Sequence, residues 1–200
     1  MTVIYLPGSD GGHRSVELLP PRESLDQPQR FTSRVAFAAA HVVRDGRSDT
    51  TPGQPAVIDW DATLGFRRHL FRCGLGVAEA TGTAQRAIGL DWAATQELVR
   101  RSADQARQLG ARIASGAGAD HRDDVVDLAD VGRAYQEQVE FVESTGSLVI
   151  VLASSQLASV ARGADDYLSV YGALLDQTRV PVILDWPGEQ CNQQFSGYWG

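Results

Sequence analysis

From residue 34 onward, short apolar runs suited to buried strands alternate with amphipathic helical stretches at a nearly constant interval of about 35 residues. Few folds accept that period. The strand-like runs are Val35 to Val43, Val77 to Ala80, Arg112 to Ala117, Leu148 to Ala153 and Val182 to Trp186. Each interval is long enough for one helix and two short loops, which is the size of a βα unit. The runs are apolar throughout rather than alternating, the pattern of parallel strands covered by helices.

The intervening helices carry their own signals. Leu128, Val131, Tyr135, Val139 and Val142 recur at spacings of three and four and form one stripe ended by Gly146. Trp92, Val99, Ala103, Ala106 and Leu109 form another, with Asp91 as N-cap and Gly110 closing it. Leu168, Tyr171 and Leu175 mark a third, opened by Asp165 and Asp166, and a first helix covers about Ala62 to Cys73. Cys73, seven residues after Phe66, is expected to be a buried small apolar residue. Before residue 34, Val3 to Leu6 and Arg14 to Leu18 flank a glycine-rich turn and read as a hairpin. The expected organisation is a hairpin and linker over 1–33 and one α/β domain over 34–200.

Five βα repeats close either as a doubly wound open sheet or as the first five strands of an eight-fold barrel. A nucleotide-binding open sheet would carry a glycine-rich phosphate turn after its first strand, but the turn after Val43 reads Arg44, Asp45, Gly46, Arg47, Ser48. The expectation is therefore an incomplete (β/α)8 TIM barrel of about five βα units, with free edges through which copies of the chain could associate as a homo-oligomer.

Charge and composition narrow the function. The net charge is −7 with pI near 5.0, and the arginines are spread along the chain, so no stripe suited to nucleic acid is visible. No apolar run approaches the roughly 18 residues of a membrane span and no signal peptide is evident, which leads to the expectation of a cytoplasmic protein. The two cysteines, Cys73 and Cys191, have no metal-ligand spacing. No cofactor is expected. All 18 basic residues are arginine and none is lysine, so no Schiff base can form on a side chain of these 200 residues.

The stretch from Phe71 to Gly188 resembles the dihydrodipicolinate synthase and N-acetylneuraminate lyase superfamily of class I aldolases, and the chain as a whole is more similar to an uncharacterised bacterial branch of it. The residues that carry the resemblance are Arg34 to Val43, Asp59-Trp60-Asp61-Ala62-Thr63, Gly74-Leu75-Gly76-Val77-Ala78-Glu79-Ala80, Gly89-Leu90-Asp91-Trp92-Ala93-Ala94-Thr95 and Pro181 to Glu189. The resemblance implies a barrel lyase acting on a small keto acid through an imine. It makes Thr81 and Thr83 partial counterparts of the turn that holds the substrate carboxylate. The superfamily's proton-relaying tyrosine at the end of strand four is replaced by Leu152-Ala153-Ser154-Ser155-Gln156, and its fifth-strand motif is echoed by Leu184-Asp185-Trp186-Pro187-Gly188. The imine-forming lysine belongs to the sixth strand, which would lie beyond Gly200, so this chain alone is expected to be inactive.

Reacting groups of a barrel gather at the C-terminal ends of its strands. That rule selects, among others, His41, Asp61, Glu79, Thr81 and Asp185 as candidate substrate-binding residues, and the resemblance adds Thr83. Glu79 heads the selection, since an unpaired carboxylate ending an apolar strand would cost several kcal/mol to bury. An alternative enzyme would use His41, Glu79, Asp185 and His121 to hold a metal ion. Competing structural readings make Asp59 or Asp61 a helix cap, His41 a hydrogen-bonded structural residue, and Asp120 and His121 the border of a solvated acidic loop with Asp123, Asp124 and Asp127.

Overall fold

Aspartates at the starts of the amphipathic stretches decide where helices begin. In a computed structural model that describes residues 2–9, 11–19, 34–48, 57–82, 86 and 89–185, the Asp59 carboxylate accepts a hydrogen bond from the Ala62 amide and opens α1 (Trp60–Arg72). Asp91 does the same for α2 (Trp92–Gln108) through Ala94, and Asp127 for α3 (Leu128–Ser144) through Asp130. Each satisfies a backbone N–H that the helix cannot. Gly110 and Gly146 follow α2 and α3 with φ of 60° and 81°, the left-handed conformation that reverses the chain toward the next strand. Ser154 caps a short helix, α4 (Ser155–Val160), which the sequence reading did not contain, and α5 follows (Ala164–Gln177).

The strands fall where the apolar period puts them. The hairpin β1 (Thr2–Pro7) and β2 (His13–Leu18) is antiparallel, with Thr2 opposite Leu18. Then β3 (Phe37–Ala39), β4 (Gly76–Glu79), β5 (Ile113–Ala117), β6 (Leu148–Val151) and β7 (Ile183–Leu184) form one parallel sheet whose spatial order is the chain order. Crossovers between parallel neighbours are right-handed, so connections that always step in one direction lay every helix on one face. The sheet curls as a half-barrel.

Two unlike faces result. Toward the helices, Val149 and Val151 pack with Val131, Tyr135, Val142, Val170 and Leu174, while Val77 and Ile113 pack with Phe71, Ala103 and Ala106. On the concave face Ala114, Ile150 and Leu152 cluster with Phe37, Ala78 and Leu148, all from strands or their ends. Parallel partners share a face: Ala78 stands opposite Ala114, Ala114 opposite Leu148, and Ile150 opposite Ile183.

Two expectations need correction. The buried stripe of α5 is Val170, Tyr171 and Leu174, whereas Leu168 is 70% exposed and Leu175 41%. Val170 and Leu174, one turn apart, dock on α3 and rotate the helix so that the two leucines flank the contact. Cys73 is only partly buried, as the residue that ends α1.

One charged pair lies between the sheet and the helices. Arg67 of α1 and Glu79 of β4 are both fully inaccessible to solvent. Arg67 Nε and Nη2 engage the two carboxylate oxygens of Glu79, the latter at 2.7 Å, while Nη1 donates to the carbonyls of His41 and Thr63 at 2.9 Å each. Nε also lies 3.1 Å from Ser102 Oγ of α2, and the Ala80 amide donates to Glu79 Oε1 at 2.9 Å. The pair thereby ties α1, α2, β4 and the end of β3 together. Arg67→Met or Glu79→Gln should each cost about 3–5 kcal/mol in urea unfolding, because each strands a buried polar partner. The double variant Arg67→Met/Glu79→Leu should recover much of the loss. A single variant costing under about 1 kcal/mol would mean the pair behaves as if exposed.

Candidate site at the C-terminal ends of the strands

Beyond β4 the backbone turns sharply. Ala80 has φ of 52°, the one non-glycine residue with positive φ among those described, and strain of that kind collects at functional rims. Its carbonyl crosses in front of Gly116 of β5, where any Cβ would collide with it. Gly116 is required for that close approach.

Arg86 closes over this crossing. Its Nη1 donates to the Gly116 carbonyl at 2.7 Å and lies 3.5 Å from the Ala80 carbonyl; Nε and Nη2 form a fork on Asp120 at 2.8 and 2.6 Å; and Nη2 also reaches Gln138 Oε1. All five guanidinium hydrogens have acceptors. Burial pushes the Asp120 carboxyl up, but the hydrogen bonds and charge of Arg86, with Gln138, outweigh it and hold it below the usual carboxylate value.

Gln138 of α3 is fully buried and orders what surrounds it. Its Oε1 accepts from the Gly118 amide at 2.6 Å, which fixes the amide orientation and leaves Nε2 to donate to Asp120 at 3.1 Å and to His121 Nδ1 at 2.8 Å. His121 therefore accepts at Nδ1 and carries its proton on Nε2, 2.8 Å from Glu137. The imidazole is packed at 5.3 Å between ring centroids against Trp92, over which the Arg86 guanidinium also sits at 5.5 Å.

The residues selected from sequence have diverse positions. Glu79 shares its face with Val77 and Ser115, looks toward the helices, and is committed to Arg67. Asp61 is exposed in the first turn of α1, where its charge complements the helix N-terminus, while Asp59 supplies the cap. His41 is exposed and its carbonyl accepts from Arg67. Thr81 is half-buried directly after the Ala80 turn, and Thr83 lies outside the described residues, as do Trp186 and Cys191. Asp185 follows β7, its amide bonded to the Val151 carbonyl at 2.9 Å. Ladder parity puts it on the concave face with Ile183. Burial alone pushes its carboxyl up. No hydrogen bond or ion pair joins any two of His41, Asp61, Glu79 and Asp185 among the described residues. Likewise no three His, Cys, Asp or Glu side chains converge there as a metal ligand set, so the metal reading finds no cluster to rest on.

Asp120 and His121 border an exposed loop carrying Asp123, Asp124 and Asp127, and they also belong to the Arg86 and Gln138 network. Arg86 and Gln138 were not anticipated. Their partners are 34 and 52 residues apart in sequence, and the available hint was Gln138 standing on the apolar stripe of α3 beside Val139.

The geometry defines an α/β protein with a parallel half-barrel and an arginine-braced rim. The chain belongs to the family described as protein of unknown function (DUF993), whose model matches residues 4–200. Among solved structures it is similar to one described as PhdJ bound to substrate intermediate, with a TM-score of 0.51 and 15% identity. That match covers 82% of this chain and 55% of the other, so this chain spans about half of that protein. A comparison with curated proteins gave no match. Among the described residues no helix is long and apolar enough to cross a membrane.

Two measurements check these assignments. Arg86→Met should cost about 3 kcal/mol at neutral pH, because it leaves Asp120 without its cation. The loss should shrink in acid, since a depressed carboxyl contributes stability above its unfolded pKa of about 4 and loses it as pH falls through the folded value. Asp185 has the opposite sign: its raised carboxyl stabilises below about pH 4 and loses that contribution as pH rises through the folded value. Asp185→Asn should therefore raise the thermal midpoint at pH 7 and lose the advantage in acid, and a gap independent of pH would contradict the assignment.

Proposed function

We propose that the five parallel strands and the helices between them form the first part of an eight-stranded barrel of the dihydrodipicolinate synthase and N-acetylneuraminate lyase type, whose mouth receives a small keto acid. Strand order is the observation that carries the reading. A doubly wound sheet reverses its order at a switch point and has helices on both faces, whereas β3 to β7 run in sequence without reversal. A one-directional parallel sheet with a concave face of strand residues is what a barrel wall requires.

On this reading Asp185, on the concave face with its carboxyl pushed up by burial, is the proton donor and acceptor of the mouth. Thr81, with Thr83, meets the substrate carboxylate. The Arg86, Asp120 and Gln138 network has no donor to spare and acts by holding the rim in place. The imine-forming amine comes from polypeptide outside these 200 residues, which contain no lysine.

The test is borohydride trapping with pyruvate, followed by intact mass and peptide mapping. The 200-residue chain should gain no adduct beyond the N-terminal amine. A polypeptide that also carries the remaining strands should be modified on a lysine of its sixth strand. A side-chain adduct on the shorter chain, or none on the longer one, would overturn the proposal.

A further inference from the structure

We propose that the face at the N-terminal ends of the strands, opposite the mouth, holds a binding site for a phosphate monoester that carries an apolar group. A cavity of about 630 Å³ opens there between the start of β3, the end of α1 and the turn from α2 to β5. Arg34, Arg72 and Arg112 reach it from three separate segments, and no acidic residue lines it. Other arginines of this acidic chain have carboxylate partners, among them Arg67, Arg86, Arg101, Arg107, Arg122 and Arg133. Among the described residues no ion pair or hydrogen bond from a side chain occupies these three guanidinia.

Arg72 also complements the C-terminal dipole of α1, a structural use that accounts for one of the three. It does not account for Arg34 or Arg112. Three guanidinium forks without acceptors suit a tetrahedral dianion, which takes paired hydrogen bonds from each. The remaining wall is apolar: Phe71 and Leu75 line it with Val35 and Leu109, which are 53% and 50% exposed. An anionic head with an apolar body covers both kinds of surface.

Calorimetric titration of the whole chain with phenyl phosphate at low ionic strength, with inorganic phosphate and phenol as references, tests the site. Phenyl phosphate should bind more tightly than about 1 mM, more tightly than either reference, and more weakly as salt rises. The exposed substitutions Arg34→Gln and Arg112→Gln should each weaken it on the order of tenfold, the loss of one charge-assisted pair, with circular dichroism unchanged. Leu109→Asp, which places a negative charge in the wall, should abolish it. Co-sedimentation with phosphatidylglycerol vesicles, lost in Arg112→Gln, would identify the phosphate as a lipid headgroup; binding of phenyl phosphate without vesicle association would identify a soluble ligand. No binding of either, or equal binding by the arginine variants, overturns the proposal.

Discussion

Every parallel strand in the sheet is followed in space by its successor in the chain, and the handedness of crossovers turns that order into a shape. All helices go to one side. The side facing them must meet large apolar residues such as Val77, Ile113, Val149 and Val151, while the concave side takes Ala78, Ala114, Ile150 and Leu152. Which face a residue occupies then follows from ladder register, and so does what it can do. A carboxylate on the helix side must find a buried cation; one on the concave side is available to a ligand.

Glu79 and Asp185 illustrate the two outcomes. Glu79 lies on the helix side and is neutralised by Arg67, whose remaining donors fasten the ends of β3 and α1. Asp185 lies on the concave side and is shifted by burial with no compensating cation. The second brace, Arg86 with Asp120 and Gln138, holds the strained Ala80 turn against Gly116. Arginine suits both positions better than lysine would, since a planar fork with five donors satisfies a carboxylate and several carbonyls at once. A rim assembled in this way is rigid by construction, the condition under which an acid or base can be held in place.

The architecture was largely legible because it is written in local signals: the repeat of about 35 residues, the aspartate caps Asp91 and Asp59, and glycines 110 and 146. The site was less so. A carboxylate at the end of an apolar strand looks the same in sequence whether it faces a ligand or a buried arginine. The distinguishing sign was parity, since Glu79 shares a face with the bulky Val77, together with Arg67 lying between Thr63 and Phe71 on the buried stripe of α1. The Arg86 network left still less trace. Its members are joined by tertiary distance alone, and Asp120 and His121 sit beside three exposed aspartates that conceal them. On α5 the buried stripe keeps Tyr171 but takes Val170 and Leu174 in place of Leu168 and Leu175, as happens when apolar residues also occupy the flanks of a helix.

Among the described residues β3 and β7 are the outer strands of the sheet, whose free edges a barrel wall would pair with further strands, whereas β5 is paired on both sides. Amide hydrogen exchange, resolved by residue, reads this directly. In the 200-residue chain as a monomer, β5 should be strongly protected and the outward amides of β3 and β7 should exchange rapidly, becoming protected in a polypeptide that supplies the remaining strands. Edge amides as slow as those of β5 in the monomer, or edges still unprotected in the longer polypeptide, would contradict the account.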